Sequence, residues 1–433
     1  LQERIRLGQP VDFTPFSRHI DYPFQQITHH NVYFKAFFDR EKMGHFAFQS
    51  TFQQDNRREN RIRRLNHSDI PTVSLHLNSL QNSLVWNKGY QHWKSEAGAQ
   101  LLITDNTNER GTGVVPIIPN YTEVAFGLYA LQKYTADRWG MEAGVRFDGQ
   151  QTKADGYDWT GRRYGGKRDF TNFTYSLGGH YHINKQLKLT SHFGVAWRAP
   201  HVYELYSNGN ELSSGIFVKG DSTLLSEQSY KWITSLKYAS KYFDVQLDGY
   251  LQWINNYIFD QPTGRNITVI SGAYPVFQYR QTRAFFQGVD LDAHVRPVSS
   301  LDYHLVTAMI WAREMPSHAY LPYIPSFRLT HSLTWSLPFF KAFSPKLGLT
   351  HRFVAKQTRF NPATDLIATS PEAYHLMGFD VSFSVPMREG QSLRVGLMGD
   401  NILNREYKEY TNRSRYYAHD MGRDVRCMIT WNF

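Results

Sequence analysis

Cysteine is nearly absent from this chain of 433 residues, with Cys427 its single representative. That excludes an intramolecular disulfide framework and any cysteine-based zinc cluster. Long apolar runs are absent too. No stretch approaches the roughly 18 uncharged apolar residues that a membrane helix requires, so a helical membrane protein is excluded. Charge is sparse, at 20% of residues, and the net +10 is not gathered into one basic domain or tail, as a nucleic-acid footprint would be. The opening LQERIRLGQP lacks Met, a charged n-region and an apolar h-region. The expectation is that a signal peptide was removed or that the chain is a piece of a longer protein. Catalytic motifs are missing as well: there is no G-x-S-x-G, P-loop or H-E-x-x-H, so no enzyme is expected. Aromatics are abundant, with 29 Phe, 27 Tyr and 10 Trp, which is the opposite of a disordered composition. Together with a mean hydropathy of −0.51, this suits an all-β protein whose apolar and polar faces average out.

Strict alternation runs from end to end. In 242–253, Phe243, Val245, Leu247, Gly249, Leu251 and Trp253 alternate with Asp244, Gln246, Asp248, Tyr250 and Gln252. The same period recurs in 327–337, in 378–385 and in the final residues, where Val425, Cys427, Ile429, Trp431 and Phe433 share a face. Further windows lie at 27–38, 44–55, 72–88, 93–104, 121–134, 138–150, 171–183, 185–197, 227–239, 278–296, 300–314, 345–360 and 390–403, with a partial strand at 2–8. This predicts about 18 strands, many of the length a tilted membrane strand needs, and no helix. The connections alternate in length. Short turns fall at 39–43, 89–92, 135–137, 184, 240–241, 298–299 and 388–389. Long loops fall at 9–26, 56–71, 105–120, 151–170, 198–226, 260–277, 315–326, 361–372 and 404–420. Short turns on one side and long loops on the other are the mark of a transmembrane antiparallel β-barrel. With the C-terminus periplasmic, every long loop lies outside the cell. A β-sandwich is disfavoured by the polar residues on the inward faces, and a propeller by the lack of a repeated motif.

Several segments, in order, resemble the barrel of TonB-dependent receptors, the energy-coupled transporters of Gram-negative outer membranes. They begin with Tyr22-Pro23-Phe24-Gln25-Gln26-Ile27-Thr28-His29-His30 and Phe52-Gln53-Gln54-Asp55-Asn56-Arg57-Arg58-Glu59. Mid-chain, Trp197-Arg198-Ala199-Pro200-His201-Val202-Tyr203-Glu204-Leu205-Tyr206 is similar to the family's F-R-A-P…E-L-Y segment. Leu224-Leu225-Ser226-Glu227-Gln228-Ser229 and Gln287-Gly288-Val289-Asp290 follow. Gly399-Asp400-Asn401-Ile402-Leu403-Asn404-Arg405-Glu406-Tyr407 and Gly422-Arg423-Asp424-Val425 complete the series. The resemblance implies that 1–433 is one domain, the C-terminal portion of a barrel of about 22 strands, without its plug, TonB box and first strands. It departs from the family at Ser207-Asn208-Gly209-Asn210-Glu211-Leu212 and at Gly220-Asp221-Ser222, both in the large outer loop.

The implied function is TonB-energised uptake of a scarce chelated nutrient, a ferric siderophore before haem, cobalamin or a free metal ion. A passive porin is the alternative from another class. Implied partners are outer-membrane lipid and lipopolysaccharide, TonB through the missing plug segment, and a small metal chelate, with no nucleic acid and no resident cofactor. The candidate ligand-binding residues are cations and aromatics of the outer loops: Arg57, Arg58, Arg61, Arg63 and Arg64, then Trp159, Arg162, Arg163, Tyr164, Lys167 and Arg168. Arginine offers a planar donor fork to anionic oxygens, and clustered cations concentrate an anion before it binds. Flat rings nearby can cover a flat ligand. Haem receptors of this family place a His or Tyr ligand after the F-R-A-P segment, which singles out His201, Tyr203 and Tyr206. His180 and His182 share a strand face and are a candidate metal pair. His294 and His304 read as wall packing or hydrated lumen residues, and Asp290 and Asp292 as hydrated lumen acids.

Overall fold

The computed structural model describes residues 19–158, 160–211, 214–269, 272–337, 343–387 and 390–433. The first half of the wall is β1 (Phe24–Arg40), β2 (Gly44–Asn60), β3 (Val73–Tyr90), β4 (Trp93–Asn108), β5 (Asn120–Thr135), β6 (Trp139–Tyr157), β7 (Arg163–His182) and β8 (Leu187–Arg198). A loop then carries a short helix, α1 (Val202–Tyr206), and a small hairpin, β9 (Asn208–Glu211) and β10 (Ile216–Lys219). The wall resumes with β11 (Glu227–Ala239), β12 (Phe243–Val269), β13 (Gly272–Val298), β14 (Leu301–Glu314) and β15 (Arg328–Ser336). It ends with β16 (Lys346–Val354), β17 (Tyr374–Pro386), β18 (Ser392–Asp400) and β19 (Asp424–Asn432).

Each wall strand pairs antiparallel with the next, and β8 pairs directly with β11 across the inserted loop. Seventeen of the predicted windows are therefore wall strands; the eighteenth, at 2–8, lies outside the described residues. No described helix is long and apolar enough to cross a membrane, which says nothing of crossing by strands. Alternation explains the two faces. In β5 and β6, Val124, Phe126, Leu128, Met141, Val145 and Phe147 are exposed on one face, as a lipid-facing surface requires. The other face is polar and internally paired: the Tyr129 hydroxyl donates to Glu96 at 3.0 Å, and Arg146 meets Asp148 at 2.6 Å. Exposed and half-buried aromatics mark the short-turn end. Trp93 stands 4.8 Å from Tyr134, Tyr134 stands 5.1 Å from Trp139, and Trp431 packs on Phe433. Such a belt suits a membrane–water interface.

Three expectations need correction. The segments 151–170 and 260–277, expected as loops, are mostly hairpin: β6 runs to Tyr157, β7 starts at Arg163, and β12 and β13 reach Val269 and Gly272. In β12 and β13, register shifts between Ile254 and Tyr257 and between Pro262 and Asn266 break the alternation, which hid the outer part of that hairpin from a period-2 reading. The strand expected to reach residue 360 stops at Val354. A helix exists where none was expected, but it is only five residues long. Among the described residues, β1 pairs only with β2 and β19 only with β18.

Candidate functional site: the outer crown

The buried apolar residues gather at the long-loop end rather than in the wall. α1 is fixed there by local chemistry. His201 caps it, its Nδ1 accepting from the Tyr203 amide at 3.1 Å, while the Glu204 carboxylate accepts from the His201 amide at 2.8 Å. This reciprocal capping box makes so short a helix stable. Arg198 binds Glu204 at 2.7 Å and Glu227 at 2.7 Å, tying the end of β8, α1 and the start of β11 together. The helix seats Val202, Leu205 and Tyr206 against Leu224 and Ile258, with Tyr164 and Tyr279 packed alongside. The inserted hairpin folds onto the wall by a parallel pairing of β10 with β13, and Ile216, Val218 and Phe277 are buried beneath it.

A second cluster closes the crown, and sequence reasoning missed it. Arg415 is 2% exposed and binds Asp365 at 2.5 Å, between the rings of Tyr410 (4.8 Å) and Tyr416 (4.5 Å). The Tyr416 hydroxyl donates to the other Asp365 oxygen at 2.7 Å. Beside it, Arg413 pairs with Asp260 and lies over the rings of Tyr323 and Phe277. Burial raises the Tyr416 hydroxyl far above its usual value, reinforced by Tyr323 and Asp365. Burial also pushes Tyr410 up to about 12. The available signal was the density of Arg and Tyr in Tyr410-Thr411-Asn412-Arg413-Ser414-Arg415-Tyr416-Tyr417.

The structure separates the sequence-predicted residues. Tyr164, Arg168, His201, Tyr203 and Tyr206 come together in the crown. Arg168 donates to the carbonyls of Ser222 and Leu224, so it anchors the loop to β7. Tyr203 lies 6.0 Å from the Tyr279 ring; burial, then Glu211, raises its hydroxyl well above the usual range. Burial lowers His201, whose ring meets Tyr121 edge-on at 6.2 Å. At the β6–β7 tip, Arg163 binds Asp155 at 2.6 Å, Arg162 approaches Asp158 at 3.6 Å and Lys167 approaches Asp169 at 3.6 Å. These three cations stay largely exposed at 68%, 83% and 57%. The first arginine group lies apart, at the ends of β2 and β3. Arg57 pairs with Glu59, Arg58 lies 3.8 Å from Glu109, and Arg63 donates to the Thr112 carbonyl at 2.6 Å. Arg58 also lines a cavity of about 380 Å³ with Tyr22, Asp69 and Arg110. Among the described residues Arg61 makes no ion pair. Trp159 and the Arg64 side chain lie outside the described residues. His180 and His182 meet edge-to-face at 5.6 Å and, among the described residues, belong to no three-group metal-ligating cluster.

A wall of tilted antiparallel strands, polar inside and apolar outside, with a folded crown on its long loops, defines an outer-membrane-type barrel of the receptor class. The chain belongs to the family of TonB-dependent receptor-like β-barrels, whose family model matches residues 4–402. Its members are receptors and transporters, not enzymes, and their place is the Gram-negative outer membrane. The chain is 21% identical over 356 residues to the TonB-dependent heme receptor A of Haemophilus influenzae, covering 73% of this chain and 46% of that protein. Among solved structures it is similar to the copper transporter OprC, with a TM-score of 0.74, 14% identity and coverage of 92% of this chain and 65% of that one. It is likewise similar to the FrpB iron transporter of Neisseria meningitidis, with a TM-score of 0.69, 12% identity and coverage of 94% and 63%. The chain therefore spans about half of the curated relative and less than two thirds of these structures. At such identities the structural likeness speaks for the fold alone.

Proposed function

We propose that this chain forms the wall and outer binding face of an outer-membrane receptor that takes up a scarce metal chelate, a ferric siderophore, with TonB supplying the energy. The family match across residues 4–402 carries this reading and favours it over a passive porin. The exposed Arg162, Arg163 and Lys167 at the β6–β7 tip, with Arg61 in the loop after β2, supply the cations that attract an anionic chelate. The partners are lipid and lipopolysaccharide around the wall and TonB through a plug segment. Deleting the gene should abolish uptake of one iron chelate under iron starvation; normal uptake of every chelate offered would sink the reading. The double substitution Arg162→Ala, Arg163→Ala should weaken capture of that chelate while leaving the barrel folded.

Haem is a second reading, favoured by the name of the curated relative. His201 spends Nδ1 on the helix cap and leaves Nε2 as its one ligand atom. Titration with hemin should then shift the Soret band, and His201→Ala should abolish the shift. An unchanged band in both proteins removes this option.

A further inference from the structure

Two histidines that read as wall packing or lumen hydration stand together on the polar face of β13 and β14. His294 and His304 are directly opposite each other across the pair, and their rings stack at 3.9 Å and 7°. Asp292, one step along the same face, places Oδ1 3.2 Å from His304 Nε2 and 3.9 Å from His294 Nε2. The three ligand atoms lie within 4.8 Å of one another.

The hydrogen-bonding pattern gives this group its chemistry. Asp302 can only accept, so at 2.8 Å from His294 Nδ1 it fixes the N–H on that nitrogen. In neutral His294 the lone pair then sits on Nε2, facing the Asp292 carboxylate with no proton between two acceptors. Asp302 is itself held by Arg296 Nε at 2.9 Å, and Arg296 reaches on to Asp244 at 2.5 Å. A carboxylate that orients the far nitrogen of an imidazole is the usual outer shell of a metal-binding histidine. The local charge leaves room for a cation: Arg296 pairs with Asp244 and Asp302, and among the described residues Asp292 has no Arg or Lys partner.

We infer that Asp292, His294 and His304 form a binding site for a divalent transition-metal ion on the inner wall of the barrel, with Asp302 and Arg296 as its positioning shell. Two imidazole nitrogens and one carboxylate oxygen suit zinc, nickel or copper(II) rather than calcium or magnesium. The stacked rings must turn out of their parallel arrangement for both Nε2 lone pairs to converge on one ion at the roughly 2.0–2.2 Å that such ions require. Three protein ligands leave a coordination position open to the lumen, where Asp292 is 54% exposed. This inference does not depend on the identity of the transported chelate.

The test is zinc binding to the intact receptor, purified in detergent and stripped with EDTA, with no chelate or haem present. One zinc ion should bind per chain, and its X-ray absorption should show imidazole ligands. His294→Gln with His304→Gln should weaken binding by well over about tenfold, and Asp302→Asn by about 10–100-fold, the usual cost of losing an outer-shell partner. His180→Gln with His182→Gln should leave binding unchanged. Heat-modifiable gel mobility checks that each variant is folded, and Asp292→Asn serves if the double variant is not. Unaltered binding in the folded His294/His304 variant, loss in the His180/His182 variant, or an absorption spectrum without imidazole would each overturn the site.

Discussion

Arg415 Nη2 lies 2.5 Å from Asp365 Oδ2, with the two side chains only 2% and 3% exposed. The pair fastens the loop after β18 to the loop between β16 and β17, and the Tyr410 and Tyr416 rings enclose it. Breaking a buried ion pair by removing one partner strands a charge, at a cost of about 3–5 kcal/mol. Asp365→Ala should therefore loosen the crown while the wall stays intact. Limited proteolysis should cut within 401–423 much faster in the variant; an unchanged cleavage rate would show that the pair does not hold the loop.

His201 links the crown to pH. Its imidazole is held below the ordinary value of 6.5 by burial, with Glu204 pulling it up and Arg198 pushing it down. As pH falls through 6.5 the unfolded loop takes up a proton that the folded loop resists. The cap is thus fully stable above that value and weakens on acidification, because a protonated Nδ1 cannot accept from the Tyr203 amide. Exchange protection of that amide, compared between about pH 7.5 and about pH 5, should fall at the acid end. His201→Asn keeps an acceptor without the titration and should flatten the profile.

Gly165 sits at φ +124°, where a Cβ would lie 2.3 Å from the Ala154 carbonyl oxygen. Gly165→Ala should destabilise the β6–β7 tip by about 1–3 kcal/mol, through backbone strain as well as the clash. Amide exchange should rise around 155–166 and stay unchanged in β12–β13. A variant as protected as the parent would contradict this.

The two end strands of the described sheet make a further prediction. Among the described residues β1 and β19 have a partner on one side only, so alternate amides face away from that partner. Those amides should exchange orders of magnitude faster than the amides of β12, which is paired on both sides. Uniform protection along β1 would mean that another segment completes the barrel there.

The wall was legible because alternation is local: Phe243 to Trp253 announce their faces without reference to any other strand. The outer hairpin of β12 and β13 was not, since its two register shifts carry the alternation out of phase. α1 rests on a two-way hydrogen bond within four residues, and its pattern in the sequence is too short to stand out. Tyr164 and His201 were singled out as ligand contacts. In the structure Tyr164 packs beside the α1 cluster and His201 caps α1 through Nδ1, placements that the residue types alone do not announce.

By itself the sequence determined the period, the order of long and short connections and the family motifs, all properties of neighbouring residues. Only the tertiary structure decided which charges meet. Arg413 reaches Asp260 across 153 residues, and His294 finds His304 only because β13 and β14 pair in one register. Such contacts depend on loop closure and strand register, which no local spacing records.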